Sequence, residues 1–238
     1  MYTILGFIAK PLGFLLDLLY GFIDNYGITL IVFTVIVKVC LYPLYIKQTK
    51  STARMGEIQP KMQALQRKYA NDKETLNIKM AELYKEEKFN PMGGCLPMLI
   101  QMPIIMGLFA LLRNPMIYMT DDSMIFAFHE SFLWIADLSQ PDPWILPIIA
   151  GIGTFLSFTM NQAMSGTAAG GQMGGMMKMM KYIFPIMILW MARAFPSGLA
   201  LYWAVSQIMQ IFFNIHMASI RKKIKKEAED KKKTKSKK

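Results

Sequence analysis

The sequence has few of the residues on which enzymes and metalloproteins depend. It contains two histidines and two cysteines, and neither Cys40 nor Cys95 stands at metal-ligand spacing from a histidine. There is no GxxxxGK[ST] phosphate loop. His129 and His216 lie away from the centres of the apolar runs, and no two runs offer facing aspartates, so intramembrane proteolysis has no candidate residues. We therefore predict no cofactor, no metal site, no disulfide framework and no enzymatic activity.

Acidic residues are scarce, whereas basic and apolar residues are abundant. The 238 residues include 27 Lys and Arg against 16 Asp and Glu, giving a net charge of +11, and 53% are hydrophobic. Several separate apolar runs approach the roughly 20 residues that a helix needs to cross a hydrocarbon core about 30 Å thick. A soluble domain of this size rarely carries several such runs, so the composition predicts a polytopic membrane protein.

The first long run, residues 28–46, has a single charge near its centre, Lys38. A lysine so far from both ends cannot simply extend to a headgroup, and a charge at this depth costs roughly 2.5–3.5 kcal/mol on insertion scales. Such residues usually face a water-filled cavity or a partner, and no acidic residue of another run could pair with this one. We predict an unpaired cation in a hydrated cavity. The alternative, a shielded lysine without a role, stays open.

Five transmembrane spans form the predicted core over residues 27–215. The second contains two prolines and a glutamine, so its helical hydrogen bonds should be interrupted. A glycine-rich loop, residues 165–177, should be flexible before the fourth. The five predicted spans are residues 28–46, 95–112, 144–162, 182–195 and 198–215.

Residues 1–26 are apolar but are interrupted by Lys10, Asp17 and Asp24. Their leucines follow helical spacing, which predicts an amphipathic helix lying in the membrane interface. A signal peptide fits poorly, because Lys10 splits the apolar region and no small-residue cleavage site follows. A full transmembrane span remains an alternative.

Residues 51–88 are predicted to form a helical hairpin outside the membrane. An interruption at Asn71-Asp72 separates two apolar stripes with steps of three and four. The stripes either pair with each other or form a surface that recruits substrates or gates a cavity. The candidate recruitment residues are Met55, Ile58, Met62, Leu65, Tyr69 and Leu83.

The distribution of charge predicts the orientation. Basic residues crowd 47–90, 178–181 and 221–238, whereas 113–142 is acidic. The positive-inside rule places the basic segments in the cytoplasm, with the N-terminus outside and the C-terminus inside. Residues 216–238 form a basic tail, predicted to be disordered beyond its first turns. It would contact either ribosomal RNA or anionic lipids, and the candidate residues are Arg221, Lys222, Lys223, Lys225 and Lys226.

Four segments resemble, in order and spacing, the signatures of the YidC/Oxa/Alb insertase family. The resemblance extends from about residue 20 to 220, and the short N-terminus is similar to that of Gram-positive-type members. The segments are NPMGGCLPMLIQMPI (90–104), TVIVKVCLYPL (34–44) of the first core span, QPKMQALQRKY (59–69) of the cytoplasmic hairpin and FPSGLALYW (195–203) of the last hairpin.

The resemblance implies a five-span, all-α bundle around a hydrophilic groove open to the cytoplasm and to lipid. Such a protein inserts and helps fold nascent membrane proteins in the bacterial cell membrane, alone or beside the Sec translocon. The groove charge in the family is usually arginine at the position of Lys38, and lysine keeps the charge but loses the planar fork of donors. Thr34, Gln162 and Trp203 match groove-lining positions. From the residues alone, Gln162 could be interfacial and Trp203 could be ordinary packing.

A transporter that uses Lys38 as an anion site is the alternative function. The five predicted spans and the lack of an obvious internal repeat count against it, because many transporters are built from repeats. In liposomes, solute flux would support a transporter, and insertion of a small membrane protein would support an insertase.

Overall fold

The computed structural model describes residues 2–53, 55–87, 96–113, 115–118, 126–165 and 171–235. Within these ranges the named elements are all helices, and one isolated β-bridge joins Phe132 to Ile135. The predicted all-α class is therefore confirmed. In chain order the helices are α1 (Tyr2–Ile23), α2 (Tyr26–Ala53), α3 (Met55–Lys68), α4 (Lys73–Glu86), α5 (Leu96–Arg113), α6 (Pro115–Tyr118), α7 (Ile145–Ser165), α8 (Gly171–Ala192) and α9 (Ser197–Lys235).

Four of the described helices, α1, α2, α7 and α9, are long and apolar enough to cross a membrane. Helices α5 and α8 carry shorter apolar stretches, Gln101–Leu112 and Met179–Ala192. Helices thus cover all five predicted spans, and α1 adds a sixth apolar helix. Length and composition alone do not separate a spanning α1 from an interfacial one, so the interfacial placement stays a prediction.

The helix bounds differ from the sequence-based expectations in three places. Helix α8 begins at Gly171, within the loop predicted to be flexible, and α9 continues to Lys235, so the disorder predicted for the tail is wrong up to that residue. Methionine, glutamine, alanine, glutamate and lysine are good helix formers, and they outweigh the glycines and the charge. Helix α5 continues past Pro103, and Pro97 lies in its first turn, where no hydrogen bond is lost.

Helix α9 occupies the centre of the fold, because it packs against α2, α5, α7 and α8. Helix α7 also packs against α8, and α1 packs against α5 and α2. The core between these helices is made of large apolar side chains from helices distant in sequence. Its fully buried members include Leu30, Phe33, Leu108, Leu111, Leu146, Ile188, Leu199 and Tyr202.

Helix α1 contacts the chain near the C-terminal end of α5. A Cβ atom built on Gly13 would lie 2.8 Å from the carbonyl oxygen of Tyr118 and 3.1 Å from the Leu111 side chain. Further along α1, the hydroxyl of Tyr20 donates to the carboxylate of Glu130. These contacts join α1 to α5, to Tyr118 and to the segment that contains Glu130.

Residues 126–144, called here the acidic segment, close the end of the bundle at which α2 begins. The Glu130 carboxylate accepts a hydrogen bond of 2.7 Å from the backbone nitrogen of Tyr26, in addition to the bond from Tyr20. The carbonyls of Leu138 and Gln140 accept hydrogen bonds from the first backbone nitrogens of α9, at 2.9 and 2.8 Å. The acidic segment therefore joins α1, α2 and α9.

Candidate functional site

Lys38 lies in the middle of α2, and its residue surface is 4% exposed. Its Nζ donates a hydrogen bond of 3.1 Å to Oε1 of Gln101 on α5 and lies 5.6 Å from the centre of the Tyr45 ring. Among the described residues Lys38 forms no salt bridge. A neutral amide and the face of an aromatic ring thus hold the buried cation.

The hydrogen bonding continues from Gln101 to a third helix. The Nε2 atom of Gln101 donates a bond of 2.9 Å to the hydroxyl of Tyr202 on α9. Tyr202 is fully buried, and buried amide and phenol groups need such partners. The three side chains of Lys38, Gln101 and Tyr202, called here the triad, therefore join α2, α5 and α9 by polar contacts.

Gln101 and Tyr202 were not predicted as site residues, although each leaves a signal in the sequence. Gln101 is the single amide within its apolar stretch, and Tyr202 carries a hydroxyl into an otherwise apolar run. A buried amide or phenol requires a partner, but the sequence does not reveal which helices meet. The pairing itself could only come from the structure.

In the described part of the chain, no side-chain hydrogen bond joins the other predicted groove residues to the triad. Thr34 is one turn before Lys38 on α2, fully buried, and its hydroxyl donates to the Leu30 carbonyl at 2.6 Å. The Trp203 indole donates to the hydroxyl of Thr154 on α7 at 3.2 Å. Gln162 lies near the end of α7 and is partly exposed, and its side chain makes no hydrogen bond with another described residue.

Polar groups also line the contact between α7 and α9. Besides the bond between Trp203 and Thr154, the amide of the buried Asn214 donates to the carbonyl of Ser157 at 3.4 Å. Interhelical hydrogen bonds of this kind are typical of membrane bundles. Helix α9 therefore has polar contacts with two helices, with α5 through Gln101 and with α7. The hydrophilic groove itself stays a prediction.

The candidate recruitment residues of the hairpin are largely used within it. Ile58, Met62 and Leu83 are buried together, and Leu65 packs against them. Tyr69 is partly exposed, with the ammonium of Lys68 5.4 Å from its ring centre. The side chain of Met55 lies outside the described residues. The structure thus has the two stripes paired with each other, which was one of the two interpretations of the pattern.

The basic residues of the tail lie on the last part of α9. Lys222, Lys223 and Lys226 are exposed, and Arg221 is partly buried. The side chain of Lys225 lies outside the described residues. Contacts of these residues with ribosomal RNA or with anionic lipids stay predictions.

These elements define an all-helical membrane protein in which a buried lysine on α2 donates a hydrogen bond to a glutamine on α5, and that glutamine donates one to a tyrosine on α9. The chain matches the family model described as "60Kd inner membrane protein" over residues 18–234. It belongs to that family, and the predicted family resemblance is confirmed.

Two similar proteins are both named membrane protein insertase YidC. The chain is 41% identical over 212 residues to a membrane protein insertase YidC of Fusobacterium nucleatum, covering 89% of this chain and 95% of that protein. It is 43% identical over 208 residues to a membrane protein insertase YidC of Haemophilus influenzae, covering 86% of this chain and 35% of that protein.

A solved structure also matches. A crystal structure of an active YidC insertase, with its first transmembrane domain resolved, is similar at a TM-score of 0.62 and 30% identity, covering 86% of this chain and 44% of that one. The chain thus spans nearly all of the Fusobacterium relative, about a third of the longer relatives and less than half of the crystallised chain.

Proposed function

We propose that this protein inserts and helps fold newly made membrane proteins, alone or beside the Sec translocon, and carries out no covalent chemistry. Substrates would enter a positively charged groove open to the cytoplasm and to lipid. The observation that carries the proposal is Lys38, a cation buried in the bundle whose hydrogen-bonding partner is the neutral amide of Gln101. The names of the relatives agree with this activity.

The contacts of Lys38 suggest how a substrate would be attracted. An ammonium group has three donor hydrogens, and its described hydrogen bond uses one of them. A carboxylate in the polar part of a substrate would form a charge-assisted bond, which is roughly twice as strong as a neutral one. The ammonium would therefore favour an acidic substrate segment over the amide of Gln101, and polar surroundings would lower the desolvation cost of that segment.

An apolar exit face would complete insertion. Large apolar side chains are exposed on α7, at Ile152 and Leu156, and on α9, at Ile208 and Phe212. A substrate helix leaving along these two helices would meet apolar side chains and lipid together. Its transfer from water into that environment would then drive the last step.

The proposal includes an orientation in the bacterial cell membrane. The basic hairpin and tail would face the cytoplasm, the acidic segment and the N-terminus would lie outside, and α1 would lie in the outer interface. The tail would meet the ribosome or anionic lipids through its exposed lysines. Because Ile58, Met62 and Leu83 are buried within the hairpin, a recruiting surface on the closed hairpin would use the partly exposed Leu65 and Tyr69.

The test is complementation in cells depleted of their own insertase, with insertion of a single-span substrate bearing an acidic external tail as the measurement. We expect Lys38→Arg to support insertion, because the charge remains, and Lys38→Ala and Lys38→Glu to fail at equal expression. Lys181→Ala is the matched control, because it removes a lysine that lies over the rings of Phe155 and Tyr182 instead. If Lys38→Ala inserts like the wild type, the charge is dispensable. Lys38-dependent solute flux in liposomes without insertion would favour a transporter.

A further inference from the structure

Leu133 and Trp134 form the tip of a two-residue turn in the acidic segment. The flanking residues Phe132 and Ile135 exchange backbone hydrogen bonds of 2.8 and 2.9 Å. Ile135 belongs to the buried core and Phe132 packs against it. The two tip residues are oriented the other way, with Leu133 75% exposed and Trp134 48% exposed. The turn thus buries its base and presents two large apolar side chains at its tip.

The backbone of this turn is strained at Leu133, whose φ is +52°. Glycine is the usual residue at a positive φ in a two-residue turn, and side chains other than glycine, asparagine or aspartate adopt it rarely. Such a conformation costs free energy and persists only where the surrounding structure enforces it. Because the Leu133 side chain is exposed, burial within the fold does not offset this cost.

Asp142 fixes the position of the tip relative to α7. Its Oδ2 accepts a hydrogen bond of 2.8 Å from the Trp134 indole. Its Oδ1 accepts bonds from the backbone nitrogens of Trp144 and Ile145, at 2.9 and 3.0 Å, where α7 begins. One buried carboxylate therefore holds the Trp134 ring beside the first turn of an apolar helix.

An exposed apolar surface starts at the first turn of α7. Ile145 and Ile148 are exposed on that part of α7. Trp144 is exposed with the Arg193 guanidinium 4.1 Å from its ring centre, and the same guanidinium lies 5.9 Å from the ring of the exposed Trp190. Tryptophan is enriched where spans meet the membrane–water interface. Asp142 holds Trp134 at the level of Trp144, beside this group of exposed tryptophans.

We propose that the Leu133–Trp134 turn is seated in the lipid bilayer, at the interface where α7 begins. Leu133 reaches the acyl chains, and Trp134 lies at the level of the headgroups with its N–H bonded to Asp142. Lipid contact buries the apolar tip and thereby offsets the strain at Leu133. The proposal requires a membrane protein and does not depend on insertase activity.

The test asks whether a nitroxide spin label at residue 133 is surrounded by lipid, water or protein. The label is attached to Leu133→Cys in a protein whose Cys40 and Cys95 are replaced by serine. The protein is reconstituted in phosphatidylethanolamine–phosphatidylglycerol vesicles, and collision of the label with oxygen and with a water-soluble nickel chelate is measured. Ile148→Cys on α7 is the lipid reference, and Asn77→Cys on the exposed side of α4 is the aqueous reference. We expect the oxygen-to-nickel ratio at residue 133 to match residue 148 and to exceed that at residue 77 several-fold.

Two outcomes of the spin-label measurement overturn the proposal. A ratio equal to that of Asn77→Cys places the tip in water, and low collision with both reagents places it against protein, such as a second copy of the chain.

A variant with Trp134 as its single tryptophan tests the same point without altering Leu133. Brominated lipid should quench its fluorescence, and quenching by aqueous iodide alone contradicts lipid contact.

Discussion

At the end of the bundle where α2 begins, carboxylates and carbonyls of the acidic segment bind the first residues of α2 and α9 and the side chain of Tyr20 on α1. At the opposite end of α2, the hairpin of α3 and α4 has a small core of its own, made of Ile58, Met62 and Leu83. Its described salt bridges, Lys61–Glu87 and Lys79–Glu82, also stay within the hairpin. The end closed by residues 126–144, called here the tied end, is bonded to three helices. The hairpin at the other end is largely self-contained.

The acidic segment and the hairpin should open at different free energies. Opening the acidic segment would break contacts with three helices at once, so it should require most of the free energy of global unfolding. Opening the hairpin would break mainly its own small core, so it should occur at a lower free energy. An insertase that admits substrate from one side and stays closed on the other would need this asymmetry.

The largest expected effect comes from Gly27→Ala, which should loosen the tied end. A Cβ at Gly27 would lie 2.2 Å from Cγ and Cδ2 of Phe132 and 2.8 Å from its Cβ. The base of the side chain is in the way, so the acidic segment must shift, and we expect a loss of about 1–3 kcal/mol. Thermal unfolding in detergent micelles measures this.

Gly21→Ala on α1 is the matched control for Gly27→Ala. No atom of the described residues lies within 4 Å of a Cβ built there, and alanine is favoured over glycine in a helix by roughly 0.5–1 kcal/mol. Gly21→Ala should therefore be neutral or stabilising. Equal unfolding temperatures for the two variants would show that Phe132 does not dock on α2.

Leu83→Ala should weaken the hairpin without reaching the tied end. Leu83 is buried against Ile58 and Met62, and a large-to-small change in so small a core should cost about 2 kcal/mol, the low end of the usual range. Hydrogen exchange should rise at amides of residues 55–87 and stay unchanged in the acidic segment. Ile78→Ala, at an exposed position of α4, should change neither. Faster exchange in residues 126–144 would remove the proposed independence of the two ends.

The sequence predicts the hairpin better than it predicts the tied end, for a physical reason. Apolar steps of three and four are local, so the pairing of α3 with α4 follows from one short stretch. The intramembrane charge at Lys38 is equally visible, because it interrupts an apolar run. The hydrogen bonds that Lys38 donates to Gln101 and that the Tyr26 backbone donates to Glu130 join residues far apart in the chain. No periodicity encodes such pairs.

Glu130→Gln tests the carboxylate that joins α1 and α2 at the tied end. Its two oxygens accept bonds from the Tyr20 hydroxyl and from the backbone nitrogen of Tyr26. Glutamine keeps one acceptor and turns an amide towards the other donor, so we expect a loss of about 1–2 kcal/mol. Chemical denaturation in mixed micelles measures it, with Glu86→Gln on the hairpin as the control at an exposed glutamate. Equal stability of the two variants would contradict a structural role for Glu130.

Asp142→Asn should have the smallest effect and a distinct pH dependence. Burial alone would raise the pKa of Asp142, but hydrogen bonds from the Trp134 indole and the backbone nitrogens of Trp144, Leu146 and Ile145 outweigh it and hold the pKa below its ordinary value. The ionised form is therefore favoured in the folded protein. Its stabilisation is complete above the ordinary pKa and is lost as the pH falls through the lower, folded value.

At neutral pH we expect Asp142→Asn to cost about 1 kcal/mol, as for the loss of a helix cap. Asparagine retains one acceptor, so the cost is not larger. The difference in unfolding temperature between wild type and variant should shrink as the pH falls below the ordinary pKa of aspartate. Asp137 titrates in the same segment and affects both proteins. The quantity to measure is therefore the difference in unfolding temperature between wild type and variant, because the wild-type profile alone combines both residues. A difference that stays constant from pH 7 to pH 3 would mean that the charge of Asp142 does not hold Trp134 to α7.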